Sequence, residues 1–509
     1  MIRTGEEYRE SIKDGREVYI AGEKVKDVTT HPAFKPIVDV RAQIYDMQHS
    51  ASTKEMMTYK ADNNEECAIA LKLPRSQQDW WNKKNATNSM MNKVGGVVTR
   101  VGDETAGEMW SLYDAQAALN EVNPEFADNI KNHIDNLVVN DPFQVTANTD
   151  PRGDRSKVPQ AQDPDMLLHV VRETDRGIVV RGAKFETAAA YANQAFTKPT
   201  IANWSADTKF SDYAVGFICD LGSAGIKIIC RDSFTDKNPL DYPIATKFDE
   251  VEALVVFNDV EIPWENVLFY RNTKAAMFIR STLHRYSAFA YIQRNLKVAE
   301  LLIGASMLSV QQTGTDNQPA VQERLAKLAC YREGIDAHLI SSIAMAEESP
   351  GGLVMPNQSL LYAGRVFACS QLYEMINLAR ELGGGQVCLT PSFDTFNHDE
   401  TKPWLDKFYS INDQWPAEER RKLLAYSRDL CNSDYAGHRL TFQEFAQSPR
   451  FAHLATVYHH FDFDGPTDLV RQAAGLSESL QSNKLKKTNI AGEHGAFLGT
   501  TADNLNRKI

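Results

Sequence analysis

The sequence predicts an α+β fold with an N-terminal helical domain, a central β-barrel and a C-terminal four-helix bundle. Three observations predict it: helical apolar spacing in the first 140 residues, short β-branched runs over 143–270, and long amphipathic segments after 276. A chain of 509 residues is long enough for two or three domains. We expect these domains at 1–140, 141–275 and 276–509.

The N-terminal domain shows the usual signals for helix starts and ends. Thr4 is placed to cap a first helix, with Glu7 at the reciprocal capping-box position. The segment 110–137 is rich in Ala, Leu, Asn and Glu and has apolar residues at helical spacing. Gly95-Gly96 is expected to close one helix before another begins.

The central region begins after Asp141-Pro142 and reads as strands. Two β-branched runs within 169–185 flank Asp175-Arg176-Gly177, which predicts a hairpin. The runs YAVGFICD, GIKIICRD and ALVVFNDVEI continue the pattern. Several short strands separated by turns favour a compact barrel or a sandwich.

The C-terminal region returns to long helical segments. We predict helices at 284–312, 319–348, 357–383 and 415–447, which would make a bundle. The loop over 385–415 is long enough to carry function. Ligand pockets favour the places where such domains meet.

Composition excludes several classes of protein. The formal net charge of −12 gives no general attraction to nucleic acid or anionic lipid. The seven cysteines form no C-x-x-C pair, which favours reduced thiols over a disulfide framework or a zinc site. The N-terminus lacks the apolar core of a signal peptide, and no stretch approaches the ~18–20 apolar residues of a membrane span. We therefore expect a cytoplasmic protein.

The turn at 148–155 is the first candidate site. Its backbone N–H groups, hydroxyl and charged side chains suit an anion or a polar ring edge, and the alternative is a solvated turn with a local Asp–Arg pair. The residues concerned are Asn148, Thr149, Arg152, Gly153, Asp154 and Arg155.

Three further motifs each have a functional and a structural interpretation. Gly383, Gly384 and Gly385 allow close approach to a phosphate, or simply cap a helix. His284, on the same helix as Arg294, is a candidate base or a structural histidine. The run at 458–464 has His and Asp residues, but a metal needs ligands converging from elsewhere, so we expect no metal site.

Several blocks in the same order resemble the family of 4-hydroxyphenylacetate 3-monooxygenase, chlorophenol monooxygenases and 4-hydroxybutyryl-CoA dehydratase. The resemblance covers nearly the whole chain. The matching blocks are TGEEYRESIKDGREVYIAGEKVKDVTTHP (4–32), TDPRGDR (149–155), DRGIVVRGAKFETAAAYAN (175–193), ALVVFNDVEIPWENVLF (253–269), the glycine run with TPS (390–392), and GHRLTFQEFAQSP (437–449).

The resemblance implies an acyl-CoA-dehydrogenase-like fold that binds FAD, usually as a homotetramer. It places flavin contacts at the turn, at Thr146, at Thr187 and at Gln447-Ser448-Pro449. The glycine run resembles a loop that, in related enzymes, reaches the adenosine side of a neighbouring subunit's FAD. Pro/Gly turns with hydroxyls bind flavin without crowding its ring, and the cofactor then does the chemistry.

The chain departs from its relatives on the substrate side. The dehydratase's paired cysteines fall on Val97 and Val101, and its third near Arg294, so we expect no iron–sulfur cluster. An arginine of the hydroxylases is replaced by Lys83 or Lys84, which lack its bidentate fork. The histidine of the chlorophenol enzymes falls on Ala288 or Ala290 here. Either His284 takes its place as the catalytic base, or this chain has no such base. His438 falls where those enzymes have an arginine.

The resemblance favours the oxygenase component of a two-component monooxygenase. A separate flavin reductase would supply FADH2, and a C4a-hydroperoxide of the flavin would hydroxylate a phenol or another aromatic small molecule. We expect His284, Arg294 and Lys84 to be catalytic, and Lys83, Lys84, Thr146 and His438 to contact substrate. Two alternatives stay open: a cluster-free FAD enzyme acting on an acyl-CoA-type substrate, and a non-catalytic flavin-binding subunit.

Overall fold

The computed structural model describes residues 2–99, 103–151, 153–154, 157, 161–199, 208–282, 284–445 and 450–476.

The N-terminal part of the chain is mainly helical, as predicted. Thr4 and Glu7 form the expected capping box, and Gly95 ends a helix with a left-handed φ of 79°. The elements are α1 (Gly5–Ser11), β1 (Glu17–Ile20), β2 (Glu23–Val25), α2 (Lys35–Met47), α3 (Lys54–Met57), β3 (Thr58–Lys60), β4 (Glu66–Ala68), α4 (Gln77–Val94), α5 (Asp103–Asp114), α6 (Gln116–Val122) and α7 (Asn129–Asn140).

The middle of the chain forms the strands that the sequence predicts, including the hairpin around Asp175-Arg176-Gly177. The strands are β5 (Gln144–Ala147), β6 (His169–Glu173), β7 (Gly177–Thr187), β8 (Gln194–Thr197), β9 (Val215–Asp220), β10 (Ile226–Cys230), β11 (Glu252–Pro263) and β12 (Val267–Tyr270), with the short helix α8 (Ala245–Phe248) before β11.

The strand order corrects the predicted barrel. In the described part of the chain the strands make a six-stranded sheet, β2-β1-β10-β11-β7-β6, and a four-stranded sheet, β12-β9-β8-β5, rather than one closed barrel. The first sheet also includes β1 and β2 from the region expected to be helical, because β1 pairs in parallel with β10 through Val18 and Ile228. Local sequence could not reveal a pairing across some two hundred residues.

The C-terminal part is a bundle of long helices. Three predicted helices are confirmed as α10, α11 and α12, whereas the fourth is divided into α16 and α17. Ser433 makes the break: its hydroxyl donates to the carbonyl of Asp429 and accepts the N–H of Ala436. The elements are α9 (Thr273–Thr282), α10 (His284–Thr313), α11 (Pro319–Ala344), β13 (Glu347–Glu348), β14 (Val354–Met355), α12 (Gln358–Gly383), α13 (Gln386–Leu389), α14 (Phe393–Phe396), α15 (Lys402–Tyr409), α16 (Ala417–Cys431), α17 (Asp434–Phe445), α18 (Arg450–His460) and α19 (Asp464–Ala474).

Close packing of α5 on α10 joins the N-terminal helices to the bundle. A Cβ atom added to Gly107 would lie 2.9 Å from the backbone nitrogen of Ser287, so only glycine permits this approach. The contact fixes the start of α10 beside the end of β5, because Thr105 of α5 reaches Thr146 of β5. The helices that follow are thereby held against the sheets.

The described residues include neither a membrane-spanning helix nor a cluster of metal ligands. None of the described helices combines the length and apolar character that crossing a membrane requires. Likewise, no cluster of three or more His, Cys, Asp or Glu side chains able to hold a metal occurs within the described ranges.

Candidate flavin and substrate site

Strand β5 carries Thr146 into the interior. All four residues of the strand are buried, and it pairs in parallel with β8, where Thr146 lies opposite Phe196. The Thr146 side chain is 1% exposed, and its hydroxyl lies 3.4 Å from that of Thr105. Two hydroxyls therefore meet in a dry environment where β5 contacts α5.

The turn after β5 is anchored to β7. The N–H of Phe185 donates to the carbonyl of Thr149 at 2.8 Å, and Lys184, which is 1% exposed, forms an ion pair with Asp150. The Thr149 side chain is exposed, with its hydroxyl 3.2 Å from the amide oxygen of Asn148. The neighbouring Phe185 ring is 44% exposed. A fixed turn thus presents a hydroxyl, an amide and an aromatic ring at the surface.

The rest of the predicted turn is partly described. Asp154 forms an ion pair with Lys157 at 3.1 Å. A Cβ atom at Gly153 would lie 2.1 Å from the side-chain oxygen of Gln162, so any larger residue would have to displace that glutamine. The predicted flavin contacts Arg152 and Arg155 lie outside the described residues.

Glu252 is the strand partner of Thr187 and the contact partner of His438. Thr187 is paired with Glu252 on the adjacent strand, and directly opposite residues of an antiparallel pair share a face of the sheet. His438 of α17 contacts Glu252 at 3.0 Å, and Arg231 contacts it at 2.6 Å. Burial would raise the pKa of Glu252, but His438 and Arg231 outweigh it, so this pKa is below its usual value. His438 therefore has an ionic partner in the fold.

The segment after α17 includes the predicted flavin contacts Gln447, Ser448 and Pro449, which lie outside the described residues. The α17 helix itself ends close to the bundle interior, because the hydroxyl of Tyr291 donates to the backbone oxygen of Gln443. The sequence connects this end of α17 directly to the predicted contacts.

The glycine run closes α12 as a helix cap. Gly384 has a positive φ of 69°, its N–H donates to the carbonyl of Arg380 at 3.1 Å, and a Cβ atom at Gly384 or Gly385 would meet open space. No hydrogen bond or ion pair between described residues joins Gly383–Gly385 to the turn at 148–154. Within one copy of the chain the glycine run thus ends a helix.

Lys83 and Lys84 are both engaged within the N-terminal helices and the bundle. The ammonium of Lys83 donates to the carbonyls of Ile69 and Ala70 at 2.7 and 3.1 Å, and it lies 4.2 Å from the ring centre of Trp110. Lys84 forms an ion pair with Asp336 of α11 at 2.9 Å. Both lysines therefore have partners within the fold.

Arg294 is a buried cation in the middle of α10. Its side chain is 1% exposed, and its guanidinium lies 5.6 Å from the ring centre of Tyr291, which Arg365 of α12 approaches at 4.9 Å. Ser287, Tyr291 and Arg294 follow one another at i, i+4 and i+7 and so share one side of the helix. His284 begins α10, and its side chain lies outside the described part.

Sequence reasoning missed Thr105, Arg365 and Phe185. One signal was present: Thr105, Glu108 and Ser111 recur at helical spacing in α5, and all are buried. Polar residues on the buried side of a helix are worth examining for a site. Arg365 and Phe185 gave no such signal, because their placement depends on helix packing and strand pairing.

Comparison with known proteins identifies the family. Models of the 4-hydroxyphenylacetate 3-hydroxylase N terminal and C terminal match residues 4–269 and 273–475. The chain belongs to the 4-hydroxyphenylacetate 3-hydroxylase family. The 4-hydroxyphenylacetate 3-monooxygenase oxygenase component of Thermus thermophilus is 28% identical, over 94% of this chain and 98% of that protein.

Another relative in this family acts on a larger substrate. It is the (3S)-3-amino-3-(3-chloro-4-hydroxyphenyl)propanoyl-[peptidyl-carrier protein SgcC2] monooxygenase of Streptomyces globisporus, 30% identical over 86% of this chain and 84% of that protein. Family members thus differ in the size of the molecule that carries the aromatic ring.

Solved structures confirm the fold. The oxygenase component of 4-hydroxyphenylacetate 3-monooxygenase complexed with FAD superposes with a TM-score of 0.85 at 25% identity, covering 94% of this chain and 99% of that one. The 4-hydroxybutyryl-CoA dehydratase of N. maritimus gives a TM-score of 0.86 at 22% identity, over 95% and 97% of the two chains. The chain therefore has the fold of these two proteins over nearly its whole length.

The donor set beside β5 and β7 fits a flavin. Flavin's polar edge needs hydrogen-bond donors and acceptors, and its rings need an apolar or aromatic surface. The anchored turn offers the Thr149 hydroxyl and the Asn148 amide, and the adjacent Phe185 ring is partly exposed. The chemistry of these groups suits the cofactor that the family binds.

Proposed function

We propose that this protein is the oxygenase component of a two-component monooxygenase, which uses reduced FAD and oxygen to hydroxylate a phenolic or other aromatic small molecule. The observation that carries the proposal is the match of both family models, which together extend from residue 4 to residue 475. Relatives of similar identity include the oxygenase component of the 4-nitrophenol 4-monooxygenase/4-nitrocatechol 2-monooxygenase of Rhodococcus opacus, 28% identical over 94% of this chain and 92% of that protein.

In this proposal the turn at 148–155 and Thr187 hold the flavin, together with Gln447, Ser448 and Pro449. The anchoring of the turn to β7 supports it, because a fixed backbone binds a rigid ring without an ordering cost. The glycine run at 383–385 would serve the FAD of a neighbouring copy, as the resemblance to related enzymes implies for this loop. We therefore propose a homotetramer with sites shared between subunits.

Reduced FAD supplies the activation of oxygen when it is bound. The chain's own task is to orient the ring and exclude water. Thr146 and Thr105 are both 1% exposed, and their hydroxyls would hydrogen-bond a phenolic oxygen. Arg294 would favour the phenolate, the form of the ring that is more nucleophilic, because a buried cation stabilises a nearby anion. His284, at the start of the same helix, is the candidate to accept the phenolic proton.

Lys83, Lys84 and His438 receive a different role in this proposal. Each has partners in the fold: two carbonyls for Lys83, Asp336 for Lys84, and Glu252 for His438. Breaking such a pair to bind a substrate would leave a half-buried charge uncompensated. We propose that these three side chains support the site and do not contact the substrate.

A separate flavin reductase is the expected partner, because relatives such as the Thermus thermophilus protein are named as the oxygenase component of their monooxygenase. The reaction on a small molecule would draw its electrons from reduced nicotinamide. We therefore propose that the oxygenase and its reductase both lie in the cytoplasm. Described cysteines remain as free thiols, which agrees with a reducing compartment.

The test is a coupled reaction with isotopically labelled oxygen. The purified chain is mixed with FAD, a flavin reductase, NADH and a panel of phenols under ¹⁸O₂, and the products are analysed by mass spectrometry. A hydroxylated product that carries one ¹⁸O atom supports the proposal. Oxidation of FADH2 with only hydrogen peroxide released, for every phenol, would contradict it. Reduction of bound FAD by an acyl-CoA thioester without oxygen would instead favour an acyl-CoA enzyme.

A further inference from the structure

An apolar cavity lies inside the bundle, beyond the groups described above. It encloses about 640 Å³ of empty space, including its mouth, and its walls come from the end of α4, from α10, α12, α16 and α17, and from the segment before α8. Most of its lining is aliphatic, as shown by Val97, Val298, Leu302, Leu372 and Ile376. A cavity walled mainly by apolar side chains with a few polar groups is of the kind that binds small molecules.

Two polar side chains lining the cavity retain unused hydrogen-bonding atoms. Gln443 is 3% exposed, and no described group hydrogen-bonds to either its side-chain nitrogen or its side-chain oxygen. Asp429 is fully buried; one of its carboxylate oxygens accepts the N–H groups of Ile244 and Ala245, while no described group hydrogen-bonds to the other. Burial without a partner is costly for such atoms, so a ligand with complementary groups would be stabilised there.

One side of α10 carries both a residue near the proposed reaction site and a residue that lines the cavity. Ser287 packs on Gly107 of α5, near Thr105, whereas Val298 lines the cavity eleven positions further along. At 1.5 Å per residue this separation is roughly 16 Å. A molecule that reached from the Thr105–Thr146 pair into the cavity would be longer than a single aromatic ring.

We propose that this cavity binds an extended apolar substituent of the aromatic substrate, one that carries a carboxamide or a similar group pairing with Gln443. The inference rests on the proposed function for the position of the reacting ring. The substrate class would be a phenol with an alkyl or aryl extension rather than a simple phenol. Gln443 can both donate to and accept from a carboxamide, and the aliphatic walls contribute through the burial of apolar surface.

Binding of 4-hexyl-, 4-octyl- and 4-decylphenol to the flavin-loaded protein, measured by isothermal titration calorimetry, tests the apolar part of this proposal. We expect affinity to rise by about four-fold for each methylene group that enters the cavity. Val298→Phe and Ala436→Phe place a ring at two half-buried lining positions and should abolish the gain with chain length. Leu308→Phe, at an exposed position of the same helix, should keep it. Equal affinity along the series in the unmodified protein would overturn the proposal.

A second comparison tests Gln443. A 4-alkylphenol ending in a carboxamide should bind about ten-fold more weakly to Gln443→Leu than to the unmodified protein, since one well-formed hydrogen-bonded pair is lost. The matching alkylphenol without the amide should bind both proteins similarly. Equal loss for the two ligands would overturn the pairing. These measurements report binding without turnover, so they remain informative even if labelled oxygen never enters a product.

Discussion

Both carboxylate oxygens of Glu250 accept the backbone N–H of Thr99, each at 2.9 Å. One of them also accepts the Thr99 hydroxyl at 2.8 Å. Glu250 is 1% exposed, and two guanidinium groups approach it, Arg439 of α17 at 3.5 Å and Arg41 of α2 at 3.9 Å. One carboxylate thus joins the segment after α4, helix α2, the β region and the C-terminal helix α17.

Removing the Glu250 carboxylate should destabilise the protein strongly. We expect Glu250→Ala to lower the free energy of unfolding by about 3–5 kcal/mol, because two buried arginines lose their counter-charge. Glu250→Gln keeps an acceptor for Thr99 and should cost less, about 1–3 kcal/mol. Urea denaturation followed by circular dichroism measures both. Glu265→Ala removes an exposed carboxylate and serves as the control; a loss no larger than in this control would refute the role of Glu250.

The Thr149 hydroxyl should contribute directly to flavin affinity. We expect Thr149→Val to raise the Kd for FADH2 by about five- to ten-fold, because the variant loses one hydrogen bond to the flavin. Stability should hardly change, because the side chain is exposed and its only described partner is Asn148. Anaerobic titration followed by flavin fluorescence gives the Kd. Thr30→Val, at another exposed threonine, is the matched control. An unchanged Kd would remove Thr149 from the flavin site.

Much of the fold could be predicted from local sequence, and the errors share a physical cause. The cap at Thr4, the hairpin at Asp175-Arg176-Gly177 and the end of α4 at Gly95 all depend on contacts within a few residues. The pairing of β1 with β10 and the separation into two sheets depend on contacts between distant strands. Such pairings leave no mark on the sequence near either strand.

The candidate site also has some features that local sequence predicts and others that depend on distant contacts. The turn carrying Thr149 was visible, because Pro and Gly between a helix and a strand predict a turn. The partners of Lys84 and His438 were not visible, since Asp336 and Glu252 lie far away in sequence. A charged residue that aligns with a functional position can therefore have a structural role instead of a functional one. Which of the two roles it has depends on the residue with which it pairs.

Lys84 offers a direct test of that distinction. We expect Lys84→Met to lower the free energy of unfolding by about 1–3 kcal/mol, because Asp336 loses a partly buried ion-pair partner. The KM for the phenol should be unchanged. Asp336→Asn should have a similar effect on stability, and the double variant should lose less than the sum of the two. A large rise in KM with stability unaffected would return Lys84 to the substrate site.

The last prediction concerns pH and Asp141, which ends α7 with a positive φ of 45°. Burial raises the pKa of this carboxyl from 3.8 to about 6, although its side chain accepts hydrogen bonds from Gln48 and from the N–H of Arg3. The folded state therefore holds the proton more tightly than the unfolded state. Below pH ~4 the carboxyl is protonated and does not reduce the free energy of unfolding. This free energy falls as the pH rises from ~4 to ~6, and above pH ~6 the full cost of the buried charge is present.

Asp141→Asn should remove this cost while keeping an acceptor for Gln48, and asparagine tolerates a left-handed backbone at a helix end. We expect the variant to be more stable than the unmodified protein by about 1–3 kcal/mol at pH 8, with the difference vanishing near pH 4. Thermal unfolding at several pH values measures it. Asp135→Asn, at an exposed carboxylate on the same helix that pairs with Lys131, should show no such gain at pH 8. A stabilisation by Asp141→Asn that is equal at pH 4 and pH 8 would show that the cause is backbone conformation and not the buried charge.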